Sequence, residues 1–345
     1  MSLELDIKRK SEELGIEKCG IVRPEALLDY ADRLRERMER IPNGEALYSK
    51  FAFFSDVRKT FPWAKSIVVA VLGYGHYALP DNGRKHFGKH YLFDSRFNPD
   101  SLERQKIDAL QAYMHERGLK TESNQHPGIT AMRWAAHKAG LGLIRRNNFF
   151  YTENGSWSAI TAWVTDREME LTETPALKEC PPGCNRCIEA CPTKSLSAPY
   201  TMSMGTCVSR LLTSNDPDTY DDETNRNMGC WIYGCDTCQD ACPMNTGRWK
   251  GNNPFPGLTE LDEWLTPEKI LSMNYEEIAR LLAPKFFYIH KESFWRWKLN
   301  AINTTVNGQQ RENIPLLRDA LWDEQEIVRK KAEWALQKLN HQPLA

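Results

Sequence analysis

Nine of the ten cysteines in this 345-residue chain lie between Cys180 and Cys242, and eight of them form two blocks with a bridging residue between. The first block reads Cys180-Pro-Pro-Gly-Cys184-Asn-Arg-Cys187-Ile-Glu-Ala-Cys191-Pro, Cys207 follows alone, and the second reads Cys235-Asp-Thr-Cys238-Gln-Asp-Ala-Cys242-Pro. No long helix or strand runs through such a stretch, because the thiolates must point inward from tight loops. The spacing is that of a chain holding two iron-sulfur clusters, in which three cysteines of a run bind one cluster and the last reaches across to the other.

On that pattern, Cys180, Cys184, Cys187 and Cys242 are expected to hold one [4Fe-4S] cube, and Cys191, Cys207, Cys235 and Cys238 the other. The first interval is one residue longer than usual, but Gly183 is free to adopt positive φ and the two prolines restrict the loop. Paired C-x2-C blocks also suit tetrahedral zinc. The proline after each block and the C-x3-C step inside each favour iron-sulfur. Cys230 is a ninth thiol for eight positions and reads as a buried side chain, as does the distant Cys19.

A hydrophobic content of 41% allows a sizeable core and suggests two to three structural units. The charged, amphipathic N-terminus resembles no secretory leader, and no apolar run approaches ~18 residues. A cytoplasmic protein without membrane attachment is expected, with cysteines kept for metal and not for disulfides. A net charge of -1 gives no overall argument for nucleic acid, although Arg84-Lys85 and Arg329-Lys-Lys331 are local basic clusters.

Along the chain, the pattern predicts a helix ending at Gly15, a short strand at 18–22 and a central β-branched strand at 66–72. Gly73-Tyr-Gly75 superficially matches a dinucleotide-binding turn, but Pro80-Asp-Asn-Gly83 breaks the chain where a phosphate-binding helix is required. Residues 84–97 read as an ordered loop over a ligand or a surface excursion. Helices follow at 101–117 and 129–139, then a buried strand at 156–165. After the cysteines, 294–306 and the stripe Val328, Ala332, Ala335, Leu336 and Leu339 form two helices, the second opened by a capping box at 323–326. Such a pair is the unit of a HEAT-type solenoid. The fold class is therefore α+β, with a mixed α/β domain at 1–170, a ferredoxin-like two-cluster module at 171–255 and a helical HEAT-like tail at 256–345.

Several segments together resemble the epoxyqueuosine reductases: Ala139-Gly-Leu-Gly-Leu-Ile144, Gly155-Ser-Trp157, Cys184-Asn-Arg-Cys-Ile-Glu-Ala-Cys-Pro-Thr193, Cys207-Val-Ser209, Tyr233-Gly-Cys-Asp-Thr-Cys-Gln239 and Trp334-Ala-Leu336. The resemblance implies a cobalamin-cradling N-terminal domain, a ferredoxin-like module beside it and a HEAT-like tail that helps grip tRNA. It also implies reduction of an epoxide in tRNA-linked epoxyqueuosine. That chemistry needs two electrons and proton delivery, and low-potential clusters would reduce the corrinoid one electron at a time. An external low-potential donor must supply them, and a monomer is expected. The chain has no Asp-x-His-x-x-Gly motif, which agrees with the family's base-off corrinoid binding.

By the same resemblance, Ser209 and Asp236 would contact the corrinoid. Their local alternatives are a turn cap and a carboxylate satisfying backbone amides. Arg145-Arg146 replaces an expected Gly/Ala-Lys pair, so Arg146 joins the cofactor-side candidates. The family's proton-donating aspartate is replaced. Ungapped counting from Gly140-Leu-Gly142 places His126 there, whereas anchoring on Pro127 selects Asn124. An imidazole can donate a proton near neutral pH, but an amide can only orient a partner. The family's Asp-Tyr-His is also missing from Gly88-Lys-His-Tyr-Leu-Phe-Asp94. These departures keep three alternatives open: a paralogous reductase of another substrate, a two-cluster electron-transfer protein without cobalamin, and a nucleic-acid module with structural clusters.

Overall fold

The apolar run at 66–72 forms the central strand, Ser66–Gly73, of a four-stranded antiparallel sheet. The computed structural model describes residues 2–124, 128–216 and 220–341. Lys18–Val22 pairs on one side of this strand and Ser158–Thr165 on the other, with Thr121–Glu122 beyond. Ser66 lies opposite Thr165, and Gly73 opposite Ser158. Successive side chains leave a strand on opposite faces. Ile67, Val69 and Val71 therefore meet Ala135 and Ala136 of the Met132–Lys138 helix. Val68, Ala70 and Leu72 meet Ile7 of Leu3–Glu13 and Ile107, Leu110 and Met114 of Leu102–Glu116. A sheet covered on both faces needs apolar residues at successive positions, and none of these six is more than 2% exposed.

The Met132–Lys138 helix begins later than its pattern predicts. Thr130 donates its hydroxyl hydrogen to the Phe54 carbonyl, and Ala131 takes ψ 70°, so residues 129–131 are held out of the helix by a tertiary bond. The helix ends at Gly140, whose φ of 73° is left-handed. A Cβ there would stand 1.7 Å from the Glu173 carbonyl oxygen, so both the turn and the close approach require glycine.

Residues 84–97 are not a surface excursion. They form two short helices, Gly83–His86 and Lys89–Leu92, with Phe87, Leu92 and Phe93 at 2% exposure or less. The backbone explains the burial: Gly88 N donates to the Tyr233 carbonyl at 2.8 Å and Ile232 N to the His86 carbonyl at 2.7 Å. The stretch thereby joins the largest core, shared with Tyr233, Phe286 and Trp297. Its partners are far away in sequence, and local periodicity carries no trace of them.

The tail helices Pro267–Ser272, Trp295–Asn307, Ile314–Asp319 and Glu326–His341 pack on one another and on the cluster module. Val328, Ala332, Ala335 and Leu339 are fully buried. The capping box expected at 323–326 is replaced by a different arrangement. The Asp323 carboxylate accepts from Gln325 N at 2.9 Å, Tyr275 OH at 2.7 Å and Lys298 Nζ at 2.6 Å. Glu326 instead pairs with Lys330. Among the described residues, no helix is long and apolar enough to cross a membrane.

Candidate iron-sulfur centre and cofactor cleft

The two halves of the cysteine motif fold alike. Cys184 and Cys187 flank the start of the helix Arg186–Glu189, and Cys235 and Cys238 flank the start of Thr237–Asp240. Gly183 takes φ 72°, and Cys184 N donates to the Pro181 carbonyl at 3.1 Å, which turns the lengthened first interval back on itself.

Mutual electrostatics sorts the thiols. Burial pushes the Cys187 thiol up, and the sulfurs that add to the shift belong to Cys242, Cys180 and Cys184. Burial also pushes Cys238 well up, and there the contributing sulfurs are those of Cys235, Cys207 and Cys191. The fold thus brings the eight thiols into two sets of four. Among the described residues, no three Cys, His, Asp or Glu side chains are close enough to share one metal ion. Cys230 lies outside both sets, its shift owed to burial alone, and its carbonyl is 2.8 Å from His86 Nδ1. Cys19 is 4% exposed and pushed up to about 12 by burial, as an inert core thiol should be.

Two arginines flank the first set. Arg145 is 2% exposed, with Nη1 3.8 Å from Cys180 Sγ and Nη2 donating to the Lys178 carbonyl at 2.9 Å. Arg146 Nη1 donates to the Cys184 carbonyl at 2.9 Å and to Asn185 Oδ1 at 3.1 Å, so it serves this set and not the side where Ser209 lies. Ser156, Gln239 and Asn245 bolt the module to the α/β body: Ser156 N donates to Asn245 Oδ1, and Asn245 Nδ2 donates to Ser156 Oγ, each at 2.9 Å.

Polar side chains gather beside the second set. Ser209, two residues beyond Cys207, has Oγ 2.9 Å from the Tyr91 hydroxyl. Asp236 is 2% exposed and accepts from Lys89 N at 2.7 Å. Burial pushes its carboxyl up to about 6 against the opposing pull of Lys89. The Lys89 ammonium lies 4.7 Å from the centre of the Trp157 ring, and Trp157 Nε1 is buried without a partner among the described residues. Cys207, Tyr91 and His90 keep partial solvent exposure although burial dominates their titration, and His90 is pushed down to about 4. The Ser209 and Tyr91 hydroxyls and the unpartnered Trp157 indole N–H are groups that a cofactor with polar substituents could engage.

Asn124 follows the edge strand Thr121–Glu122 and is exposed, whereas His126 lies outside the described residues.

Comparison with known proteins gives the arrangement its context. Residues 180–245 match the 4Fe-4S double cluster binding domain. The epoxyqueuosine reductase of Leadbetterella byssophila is 30% identical over 246 residues, covering 70% of this chain and 79% of that protein. This chain belongs to the epoxyqueuosine reductase family. The Staphylococcus aureus epoxyqueuosine reductase is 27% identical over 353 residues, covering 97% of this chain and 88% of that protein. The fold is shared with solved epoxyqueuosine reductases. A structure with an epoxyqueuosine-modified tRNA-Tyr stem loop superposes at TM-score 0.79 and 23% identity, covering 98% of this chain and 90% of that one. The Streptococcus thermophilus structure gives 0.75 at 23% identity, covering 100% and 92%.

Within this epoxyqueuosine reductase family member, the sequence reading passed over Arg145 as a neighbour of Cys180, and Lys89 and Tyr91 as partners of Asp236 and Ser209. Doubled arginines next to a Gly-x-Gly turn were the available signal for the first. Nothing local marks the other two, because their partners are more than a hundred residues away.

Proposed function

We propose that this chain reduces the epoxide of epoxyqueuosine in tRNA to queuosine, as a cytoplasmic monomer fed by an external low-potential electron donor. The observation that supports this reading is that Ser209, two residues beyond Cys207 of the second thiol set, is held 2.9 Å from the Tyr91 hydroxyl, where the two would line a cofactor cleft, while Cys180 and Cys184 of the first set are partly exposed. Cys180, Cys184, Cys187 and Cys242 are the proposed ligands of one [4Fe-4S] cluster, and Cys191, Cys207, Cys235 and Cys238 of the other. Two cubes in series would carry electrons inward one at a time. Bound cobalamin would supply the two-electron nucleophilic chemistry that one-electron clusters lack.

The chain's own groups have separate tasks. Ser209, Tyr91 and Asp236 would hold the corrinoid, with Lys89 keeping the buried Asp236 carboxylate oriented. Arg146 fixes the Cys184 loop, and Arg145 sets positive charge against Cys180. The net reaction joins the epoxide with two electrons and two protons, breaks both C–O bonds, and leaves an alkene and water. His126 is the proposed donor of a proton to the departing oxygen, with Asn124 as the alternative at that place in the chain. That neither is a carboxylate favours, as a second reading, a paralogue reducing another substrate by the same route.

The test is to reconstitute the protein anaerobically, add cobalamin and a strong reductant, and follow RNA containing epoxyqueuosine by mass spectrometry. Queuosine should form, should vanish with His126→Ala and should persist with Asn124→Ala. The reverse pattern would move the role to Asn124. No product from protein loaded with both clusters and cobalamin would sink the assigned substrate.

A further inference from the structure

Arg37 and Arg133 converge on a single residue beside the second thiol set. Arg37, on the helix Tyr30–Arg40, donates from Nη2 to Asn148 Oδ1 at 3.1 Å. Arg133, in the first turn of Met132–Lys138, donates from Nη1 to the Asn148 carbonyl. The preceding residue, Asn147, donates from Nδ2 to the Cys238 carbonyl at 3.2 Å, which places Asn148 beside the second thiol set.

Two other arginines of the Tyr30–Arg40 helix have counter-charges. Arg33 is paired with Glu36 and Arg35 with Asp32 on the same helix. Among the described residues, neither Arg37 nor Arg133 has a carboxylate within ion-pair reach. Arg133 is drawn below its ordinary value by burial and then by Arg37, yet its side chain remains open to solvent. Two guanidiniums held together without a counter-charge repel each other, and a fold keeps that arrangement at an energetic cost. Asn148 adds two features. It is a non-glycine residue at φ 64°, and at 4% exposure its Nδ2 has no partner among the described residues. Strained backbone and unsatisfied donors gather at binding sites. Planar guanidinium forks match the oxygens of a phosphate.

We propose that Arg37, Arg133 and Asn148 form a binding site for one phosphate group of a ligand lying in the cleft. This deepens the functional reading above and rests on it for the two sources of such a group: a backbone phosphodiester of the RNA, or the nucleotide-loop phosphate of a corrinoid.

The test measures equilibrium binding with the cluster-loaded protein and its Arg37→Gln and Arg133→Gln variants. The probes are an RNA stem loop, cobalamin, and cobinamide, which lacks the nucleotide phosphate. If RNA supplies the group, each variant binds the stem loop about 5–10-fold more weakly and lowers the slope of log affinity against log salt by about one, with both corrinoids unaffected. If the corrinoid supplies it, cobalamin weakens while cobinamide does not. Normal binding of both stem loop and cobalamin by both variants would overturn the proposal, as would equal losses for cobalamin and cobinamide. Should either Gln variant lose iron, Arg37→Lys and Arg133→Lys retain the charge without the fork. A weaker phosphate-bearing probe with an unchanged salt slope is then expected, and unchanged affinity would overturn the site. Because the readout is binding, a failure here leaves the turnover assay standing, and a failure of turnover leaves the phosphate site to be judged separately.

Discussion

Arg145 places a guanidinium, 2% exposed, against a thiol of the first set. A positive charge in a poorly solvated setting stabilises the reduced, more negative form of a cluster, so it raises the reduction potential. Replacing Arg145 with Met should make the first cluster harder to reduce, by on the order of tens of millivolts, in an anaerobic redox titration followed by electron paramagnetic resonance. An unchanged or more positive potential would show that the arginine only fastens the Lys178 loop. The residue scale also shows how far sequence reading reaches. The double-cluster motif and the turn at Gly183 were legible because a cube imposes local spacing and a tight turn imposes positive φ. Lys89 on Asp236 and Tyr91 on Ser209 were not, since no short-range rule links residues more than a hundred positions apart.

Trp295–Asn307 shows the same division at the scale of an element. Its helical character and its end near Gly308 follow from the sequence, but what its asparagines do does not. Asn300 Nδ2 donates to the Leu212 and Ile232 carbonyls, each at 2.9 Å, and Asn307 Nδ2 to the Gly229 carbonyl at 2.7 Å. These bonds tie the tail to the segments that follow Cys207 and precede Cys235. Asn300→Ala leaves two buried carbonyls without this donor and should cost about 1–3 kcal/mol. The expected signs are a lower thermal midpoint and faster loss of iron under a chelator, with the helix content of the intact protein unchanged. Wild-type iron retention in that variant would mean that apolar packing alone holds the tail in place. The central strand was legible for the opposite reason: a sheet buried on both faces writes itself into the chain as an unbroken β-branched run. Residues 84–97 escaped that logic because their burial is set by Tyr233 and Trp297, not by their own periodicity.

In the whole molecule, the cluster module is wedged between the α/β body and the tail. Ser156 and Asn245 join it to the first, and the asparagines of Trp295–Asn307 join it to the second. The sequence supplied the list of parts and the order in which they occur. It did not supply the interlocking, by which residues 74–93 share one core with Phe286 and Trp297. The central claim is that eight thiols, in two sets of four, hold two iron-sulfur cubes leading to the cleft. Chemical analysis of iron and acid-labile sulfide in anaerobically purified protein tests it most directly, with Cys207→Ser measured alongside. The account requires about eight iron and eight sulfide per chain, falling toward about four of each in the variant. Zinc in place of iron, or a Cys207→Ser protein that keeps the full iron content, would contradict it.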